Sequence, residues 1–493
     1  MIQKIFYALP YSNGQLHLGH LASCVVPSNI LYRAFKTIKN KRSYLISGSD
    51  QFGTPILVEA KKKKVSSEAL SESFHVLNKD LLTSFGFSTE FFFKTNSPDH
   101  IRFVQKFFRK LKKEGHIEKK ITSLPFCSFC NLVLSSRFLE GACLTCKRIV
   151  KNTKECSECG AYIRVLSELS CSICKRKISK FKKENHFYLT ITEQEKEEVF
   201  SFLKQKIPPL YFHKLKKELA DYSCLCISRT LPWGVPLSKT KVFFVWFEAL
   251  LSYFSFVPKR SKKETFFFGK DNVFFHCFLL PLLYLKSKKK LSSISFVISE
   301  FLLFGQSKFS KSSGVPPIFE LNTLKQKFGA ETIIGFLLYN LPKLKDSECT
   351  EEKLLSFSLA FNHKLCNLLH RVFSFYCSTA KVFDFRRKTF FKEILSSIFS
   401  FDIKQAYFLF FEKVSELNKT FSKLEPWKKK STKETSFLNS FFSFFFLLEI
   451  FHPSIFKYYS QYVNTQDKTF FFVHQEKISP FSRYSSISRA DDL

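Results

Sequence analysis

The chain has 493 residues, long enough for two to four domains with sizeable cores, so a single small module is excluded. It carries 77 Lys and Arg against 42 Asp and Glu, a formal charge of +35, which points to a polyanionic partner. Phe (64), Lys and Ser are inflated while Gly (14) is scarce, a drift typical of nucleotide bias in a gene, so charge alone is weak evidence.

The first nine residues read as a strand rather than as a basic-then-apolar leader. An apolar stretch (Ile5, Phe6, Ala8) is followed by Pro10, Asn13 and Gly14, which mark a turn. A helical pattern then runs through Leu18, Leu21 and Val25 to Ile30 and Leu31. The result is strand, tight loop and helix, with His17 and His20 at the helix start. A helix N-terminus offers free N–H groups and the positive end of a dipole, and two imidazoles add donors there. That chemistry suits a nucleotide phosphate.

Ser43–Ser47 reads as a second strand, ending in Gly48-Ser49-Asp50-Gln51-Phe52-Gly53. Helical patterns follow around 67–84 and 98–114. This βαβ order predicts a doubly wound, Rossmann-like parallel sheet with ligands at the carboxyl ends of its strands. Residues 1–116 form the first half of that α/β domain.

Residues 117–227 change character and read as an inserted domain. Four Cys-x-x-Cys pairs stand in series: Cys127/Cys130, Cys143/Cys146, Cys156/Cys159 and Cys171/Cys174. Each supplies half of a tetrahedral thiolate site, so the four make two structural Zn²⁺ sites with no open position for substrate. The pairs can combine in nested or in sequential order. Fifteen cysteines, eight of them in such pairs, suit a reducing compartment and metal binding better than disulfides. Cys24, Cys224, Cys226, Cys277, Cys349, Cys366 and Cys377 read as core or incidental.

Residues 228–345 return to alternating signals. Val242–Phe247, Thr265–Phe268 and Ile294–Ile298 read as strands, and Asn272–Leu285 as a helix. Then comes Lys308-Phe309-Ser310-Lys311-Ser312, two lysines and small hydroxyls on a loop after a strand. Mobile ammonium groups there can stabilise charge that builds on a leaving pyrophosphate. Residues 346–493 read as an α-helical bundle without clear strands. Phe437–Phe451 is apolar but interrupted by Asn439, serines and Glu449, so it reads as a buried helix and not a membrane span. The last ~20 residues are Ser-rich, as mobile tails are.

His17-Leu18-Gly19-His20 resembles the HIGH signature of class I aminoacyl-tRNA synthetases, and Lys308–Ser312 resembles their KMSKS loop, with Phe309 in place of the usual Met. The longer string Ala8-Leu9-Pro10-Tyr11-Ser12-Asn13-Gly14 is similar to the methionyl members in particular. The resemblance covers residues 1–345 well and 346–465 weakly. It implies ATP binding by His17, Gly19, His20, Lys308, Ser310, Lys311 and Ser312. Catalytic electrostatics would come from His17, His20, Lys308 and Lys311, with Mg²⁺ accompanying ATP.

It also implies a methionine pocket. Asp50 and the backbone at Leu9 would hold the ammonium, and Tyr11, Trp246, Tyr253 and His276 would enclose the side chain. Two departures touch that pocket: Glu248-Ala249-Leu250 stands where the family commonly has Asp-Ala-Pro, and Leu280 replaces an aromatic. The family's knuckles imply the nested order, Cys127/Cys130 with Cys171/Cys174 outside and Cys143/Cys146 with Cys156/Cys159 inside. The ~110-residue insertion leaves no room for the hydrolytic editing domain of the branched-chain relatives.

In the helical region, Asn367 and Arg371 lie four apart on one helix face, and Trp427 precedes Lys428–Lys430. By resemblance these three contact the CAU anticodon of tRNA(Met), with Trp427 as a stacking platform; as plain packing it would instead cap the bundle. The expected reaction is ATP-dependent ligation of methionine to tRNA, in the cytoplasm, by a protein that does not bind membranes. No added oligomerisation module is visible, which points to a monomer. Two other readings stay open, a non-enzymatic zinc-knuckle RNA-binding protein and a class I synthetase for another amino acid.

Overall fold

The computed structural model describes residues 2–39, 41–134, 138–144, 146–151, 166–256, 263–305, 307–308, 317–379, 381–384, 391–428, 433–466, 469–473, 475 and 478. Its centre is a five-stranded parallel sheet. The strands are β1 (Gln3–Tyr7), β2 (Ser43–Ser49), β3 (Phe91–Lys94), β4 (Lys263–Gly269) and β5 (Ile294–Ser299), in spatial order β5-β4-β1-β2-β3. Every neighbouring pair is parallel. The chain leaves β1 toward β2 on one side and returns from the far half of the sequence to β4 on the other. β1 is therefore the switch point, and a crevice opens at its carboxyl end.

Both faces of the sheet are covered. Ile5, Tyr7, Leu45 and Phe267 point into one core, and Phe6, Ile46, Phe266 and Phe268 into the other. That alternation with both sides apolar is what a doubly wound parallel sheet requires. β2 and β3 approach so closely at Gly48 that a Cβ there would lie 2.3 Å from the Phe93 carbonyl oxygen.

The expected helices at 67–84 and 98–114 are found at Ser67–Ser84 and Pro98–Lys113, capped by the Ser66 and Ser97 hydroxyls. The expected strand Val242–Phe247 is shorter. It stops at Phe243, Phe244 turns the chain, and the helix Val245–Ser255 begins. A short, wholly apolar run does not distinguish a buried strand from a buried helix. The helix expected over Asn272–Leu285 is a 3₁₀ turn at Lys270–Asn272, a π-helical stretch at Phe274–Leu279 and an α-helix at Leu280–Lys286.

Between β3 and β4 a long antiparallel ribbon pairs Ile117–Cys127 with Lys180–Thr190. Its far end carries the cysteine turns. The part after residue 320 is mainly helical, with two small strand additions that the sequence did not signal. Ser347–Glu348 runs parallel to Leu302–Phe304, and Val382–Asp384 pairs with Thr469–Phe472. Two- to four-residue strands carry too little pattern to be read.

The helices share one core with the sheet face bearing Ile5 and Tyr7. Arg33 donates to the carbonyl of Ile450, and the buried Glu331 binds His452 at 2.9 Å, tying the bundle to the sheet. The helix Glu434–Phe451 is long and apolar enough to cross a membrane, but it lies inside this core. The Ser-rich tail falls outside the described residues.

Candidate active site

After β1 the chain stays extended and continues the sheet pairing beyond its last strand residue. Asp50 N donates to Pro10 O at 3.0 Å, and Ser12 N donates to Asp50 O at 2.8 Å, so Tyr11 and Asp50 stand side by side at the mouth of the crevice. His17 then caps a helical segment formed by Leu18–His20, a π turn at Leu21–Val25 and Val26–Thr37. The His17 backbone N donates to His20 Nδ1 at 3.3 Å, and the two imidazole rings lie 3.8 Å apart. His17 and His20 thus form one cluster at the helix start, as the sequence predicted.

The strand that leads toward the second signature lies beside it. The strand Leu302–Phe304 packs against Leu18–His20. The chain reverses at Gly305, whose φ of +56° favours glycine, and returns as the antiparallel strand Ser307–Lys308 with Lys308 opposite Leu303. The backbone of Lys308 is therefore one strand away from the element that touches the His17–His20 turn. Ser310, Lys311 and Ser312 lie outside the described residues.

On the other side of Asp50 is an aromatic pocket. The helix Val245–Ser255 presents Trp246 and Tyr253, seven residues apart and so on one face. Trp246 stacks on Phe275 at 3.9 Å and meets Tyr11 edge-on at 6.1 Å and His276 at 6.4 Å. Tyr253 Oη lies 3.1 Å from His276 Nε2, and His276 Nδ1 lies 3.3 Å from the carbonyl of Asn272. A carbonyl can only accept, so Nδ1 carries the proton and Tyr253 donates to Nε2. Burial supports this state, holding the His276 imidazole down to about 4. Leu9 and Asp50 both act on the Tyr253 hydroxyl, which joins them to the same pocket. Leu9, Tyr11, Asp50, Trp246, Tyr253 and His276 are thus brought together.

Asp50 is 2 % exposed, and its Oδ1 accepts from Phe52 N. Burial raises its pKa well above the usual carboxylate range, and a charge on the nearby Glu248 would raise it further. An arriving ammonium would reverse that shift. Gly53, at φ +99°, lets Val245 and Tyr11 close against the backbone. Sequence reasoning gave no role to Phe275, the stacking partner of Trp246, or to His100, which binds Glu248. Nothing local distinguishes them: one is an aromatic among 64 phenylalanines, the other a histidine in the first turn of an amphipathic helix. Leu280, the second departure from the family pattern, is fully buried.

The outer cysteine turns converge. The sulfurs of Cys127, Cys130, Cys171 and Cys174 all lie within 4.8 Å of one another. Cys127 Sγ is 3.5 Å from Cys174 Sγ, and Cys130 Sγ is 3.9 Å from Cys171 Sγ. Four thiolates about 2.3 Å from a tetrahedral zinc stand about 3.8 Å apart, so this donor set fits zinc. The grouping is the nested one for these four cysteines, not the sequential one. The turn at Cys143/Cys146 repeats the local geometry of the Cys171/Cys174 turn. Cys143 N donates to Arg148 O and Cys171 N to Arg176 O, while Lys147 (φ 62°) and Lys175 (φ 61°) both take the left-handed region. Cys156 and Cys159 lie outside the described residues. Of the remaining cysteines, Cys224 and Cys226 are half-buried on an edge strand, and the others are buried.

Far from the crevice, Arg371 and Trp427 meet at Phe421. The guanidinium lies over that ring at 5.2 Å and contacts Ser422 Oγ at 3.4 Å, while Trp427 touches Phe421 edge-on at 5.8 Å. Trp427 keeps 50 % of its surface exposed. Asn367 lies exposed one turn before Arg371.

Comparison with known proteins fits this architecture. The model of the family described as tRNA synthetases class I (M) matches residues 4–373, about three quarters of the chain, and the chain belongs to that family. Among curated relatives, a methionine–tRNA ligase of Chlamydia pneumoniae is 29% identical over 404 residues, covering 76% of this chain and 72% of the relative. One of Bacillus mycoides is 29% identical over 472 residues, covering 87% and 84%. A crystal structure of Mycobacterium tuberculosis methionyl-tRNA synthetase bound by methionyl-adenylate shares the fold. Its TM-score is 0.75 at 15% identity, with 97% of this chain and 99% of that one covered.

Proposed function

We infer that this chain ligates methionine to its tRNA in two steps at one site. In the first, a methionine carboxylate oxygen attacks the α-phosphorus of ATP; the bond from that phosphorus to the α,β-bridging oxygen breaks, pyrophosphate leaves and methionyl-adenylate forms. In the second, the terminal adenosine hydroxyl of tRNA(Met) attacks the acyl carbon, and AMP leaves. No side-chain nucleophile is required, because positioning and electrostatics supply the rate.

The observation that supports this reading is the packing of the strand Leu302–Phe304, which leads toward the lysine loop, on the turn bearing His17 and His20, beside the pocket of Asp50, Trp246, Tyr253 and His276. Leu9 and Asp50 take the ammonium. Tyr11 and Trp246 enclose the thioether, a soft group that packs well on aromatic faces. His17, His20 and the N–H of Gly19 hold the phosphates, while Lys308, Ser310, Lys311 and Ser312 bind the triphosphate and stabilise the charge that moves onto pyrophosphate. Mg²⁺ brought by ATP would supply further neutralisation of the phosphate charge.

Residues 1–116 and 228–345 serve as the two halves of the catalytic domain, 117–227 as the zinc-bearing connection, and 346–493 as the anticodon-binding domain. Two structural Zn²⁺ ions fit the eight thiols, the inner one on Cys143, Cys146, Cys156 and Cys159. Asn367, Arg371 and Trp427 read the anticodon, and a basic, monomeric protein working in the cytoplasm suits a tRNA partner. ATP–pyrophosphate exchange across a panel of amino acids is the test. Exchange with methionine alone supports the reading, exchange with another amino acid reassigns the pocket, and none at all leaves an RNA-binding protein.

A further inference from the structure

His100 clasps the pocket helix from behind. Its Nε2 lies 3.0 Å from Glu248 Oε2 and its Nδ1 lies 3.0 Å from Ser255 Oγ. Glu248 and Ser255 are seven residues apart, so one imidazole spans two turns of the helix Val245–Ser255. Trp246 and Tyr253 are also seven apart, and each is offset by two residues, about 200°, from its clasped neighbour. The clasp therefore grips the face opposite the one that lines the amino-acid pocket.

The hydrogen bonds assign the protons. Ser255 Oγ donates to the carbonyl of Ser252, so it accepts from His100 Nδ1–H. In a neutral imidazole Nε2 is then a bare acceptor, and Glu248 must bring the proton that fills the 3.0 Å gap. Both side chains are wholly inaccessible to solvent. Burial pushes each toward its uncharged form, His100 down to about 3 and Glu248 well above the carboxylate range. The ring of His100 is held flat under Phe256, which stacks in turn on Phe93 of β3. Glu248 Oε1 is buried without a hydrogen-bond partner, a cost that an ionised carboxylate would raise further.

We propose that Glu248 is a positioning residue for amino-acid binding: as an uncharged acid joined to His100, it fixes the helix bearing Trp246 and Tyr253 and keeps a second negative charge away from Asp50. The proposal rests on the reading of those three residues as the methionine pocket. It also gives meaning to Glu248, one of the two departures from the family's usual string. The glutamate is one methylene longer than the aspartate commonly found there, and it reaches the imidazole of a neighbouring helix.

The test is steady-state ATP–pyrophosphate exchange on the full chain, with methionine and ATP varied separately, beside thermal melting. Glu248→Ala leaves Nε2 of His100 unmatched and should raise the KM for methionine about tenfold, with kcat and the KM for ATP moving less. Glu248→Gln offers an amide N–H to Nε2 in place of the acid proton and should restore most of that loss. Ser255→Ala opens only the other end of the clasp and should raise the same KM by a few-fold, so the proposal stays testable if Glu248→Ala does not fold. An unchanged KM for methionine in folded Ala variants overturns it. So does a Gln variant as impaired as Ala, which would mean that the charge of Glu248 is what matters. If the wild-type chain exchanges with no amino acid, the functional reading fails instead.

Discussion

The pocket around Tyr253 and His276 and the cluster around Phe421 in the helical part are both built on aromatic residues, yet they are finished in opposite ways. At the pocket, Tyr253 and His276 are 2 % and 1 % exposed and their hydrogen bonds run to one another and to the Asn272 backbone. In the cluster, Arg371 rests on Phe421 and Trp427 stands half in solvent. A small flexible ligand is best selected by a wall already in place, since the protein then has little of its own to order. A single-stranded loop brings its own flat surfaces and needs only an exposed face to stack on.

The largest expected effect lies at the two signatures, which act on the pocket side of the contrast. His20→Ala and Lys311→Ala should each lower ATP–pyrophosphate exchange by about 10²–10³-fold while the melting temperature stays close to wild type. A loss that tracks unfolding would make these residues structural. Next in size is the metal. Elemental analysis should find two zinc ions per chain, and Cys171→Ser should lose one of them, with tRNA charging falling about 10–100-fold.

Trp427→Ala separates the two regions directly. Charging should fall about tenfold, the value of one stacked base, with exchange preserved. Equal loss of both would make Trp427 a part of the bundle core.

The smallest effect is on pH dependence. His276 and His100 stay neutral in the folded protein down to about 4 and about 3, below the ordinary 6.5. Between 6.5 and those values these two groups bind more protons in the unfolded chain than in the folded one, so their contribution to stability rises with pH in that window. Asp50 and Glu248, raised by burial, contribute the opposite slope, so the check is a difference: the melting temperature of His276→Gln relative to wild type should rise as pH drops from about 6.5 to about 4. A difference that stays constant with pH would mean that His276 is charged or solvated in the fold.

Much of this was legible beforehand. His17 and His20 carry their chemistry in a short string, and the turn residues around them fix where strand becomes helix. Asp50 was readable because an acid between Gly48 and Gly53 after a strand is poor packing material. The cysteine pairs were readable because their spacing is itself the chemistry. The start of the pocket helix was not: Val242-Phe243-Phe244-Val245-Trp246-Phe247 is apolar throughout, so periodicity gives no boundary. His100 was hidden for a different reason. Its partners Glu248 and Ser255 lie about 150 residues away, and only the closed sheet brings them together.

The position of β1 has a consequence for how the chain assembles. Gln3 pairs with Ser43 on one side and with Lys263 on the other. During synthesis the β2 side of β1 can be satisfied early, but the other edge waits for more than two hundred further residues, on the order of tens of seconds at ribosomal speed. An unpaired apolar edge is a template for aggregation. The cysteine turns emerge within that interval and their nested thiols can close on metal before β4 is made, so the ion would organise the middle of a nascent chain whose first strand still lacks its second neighbour.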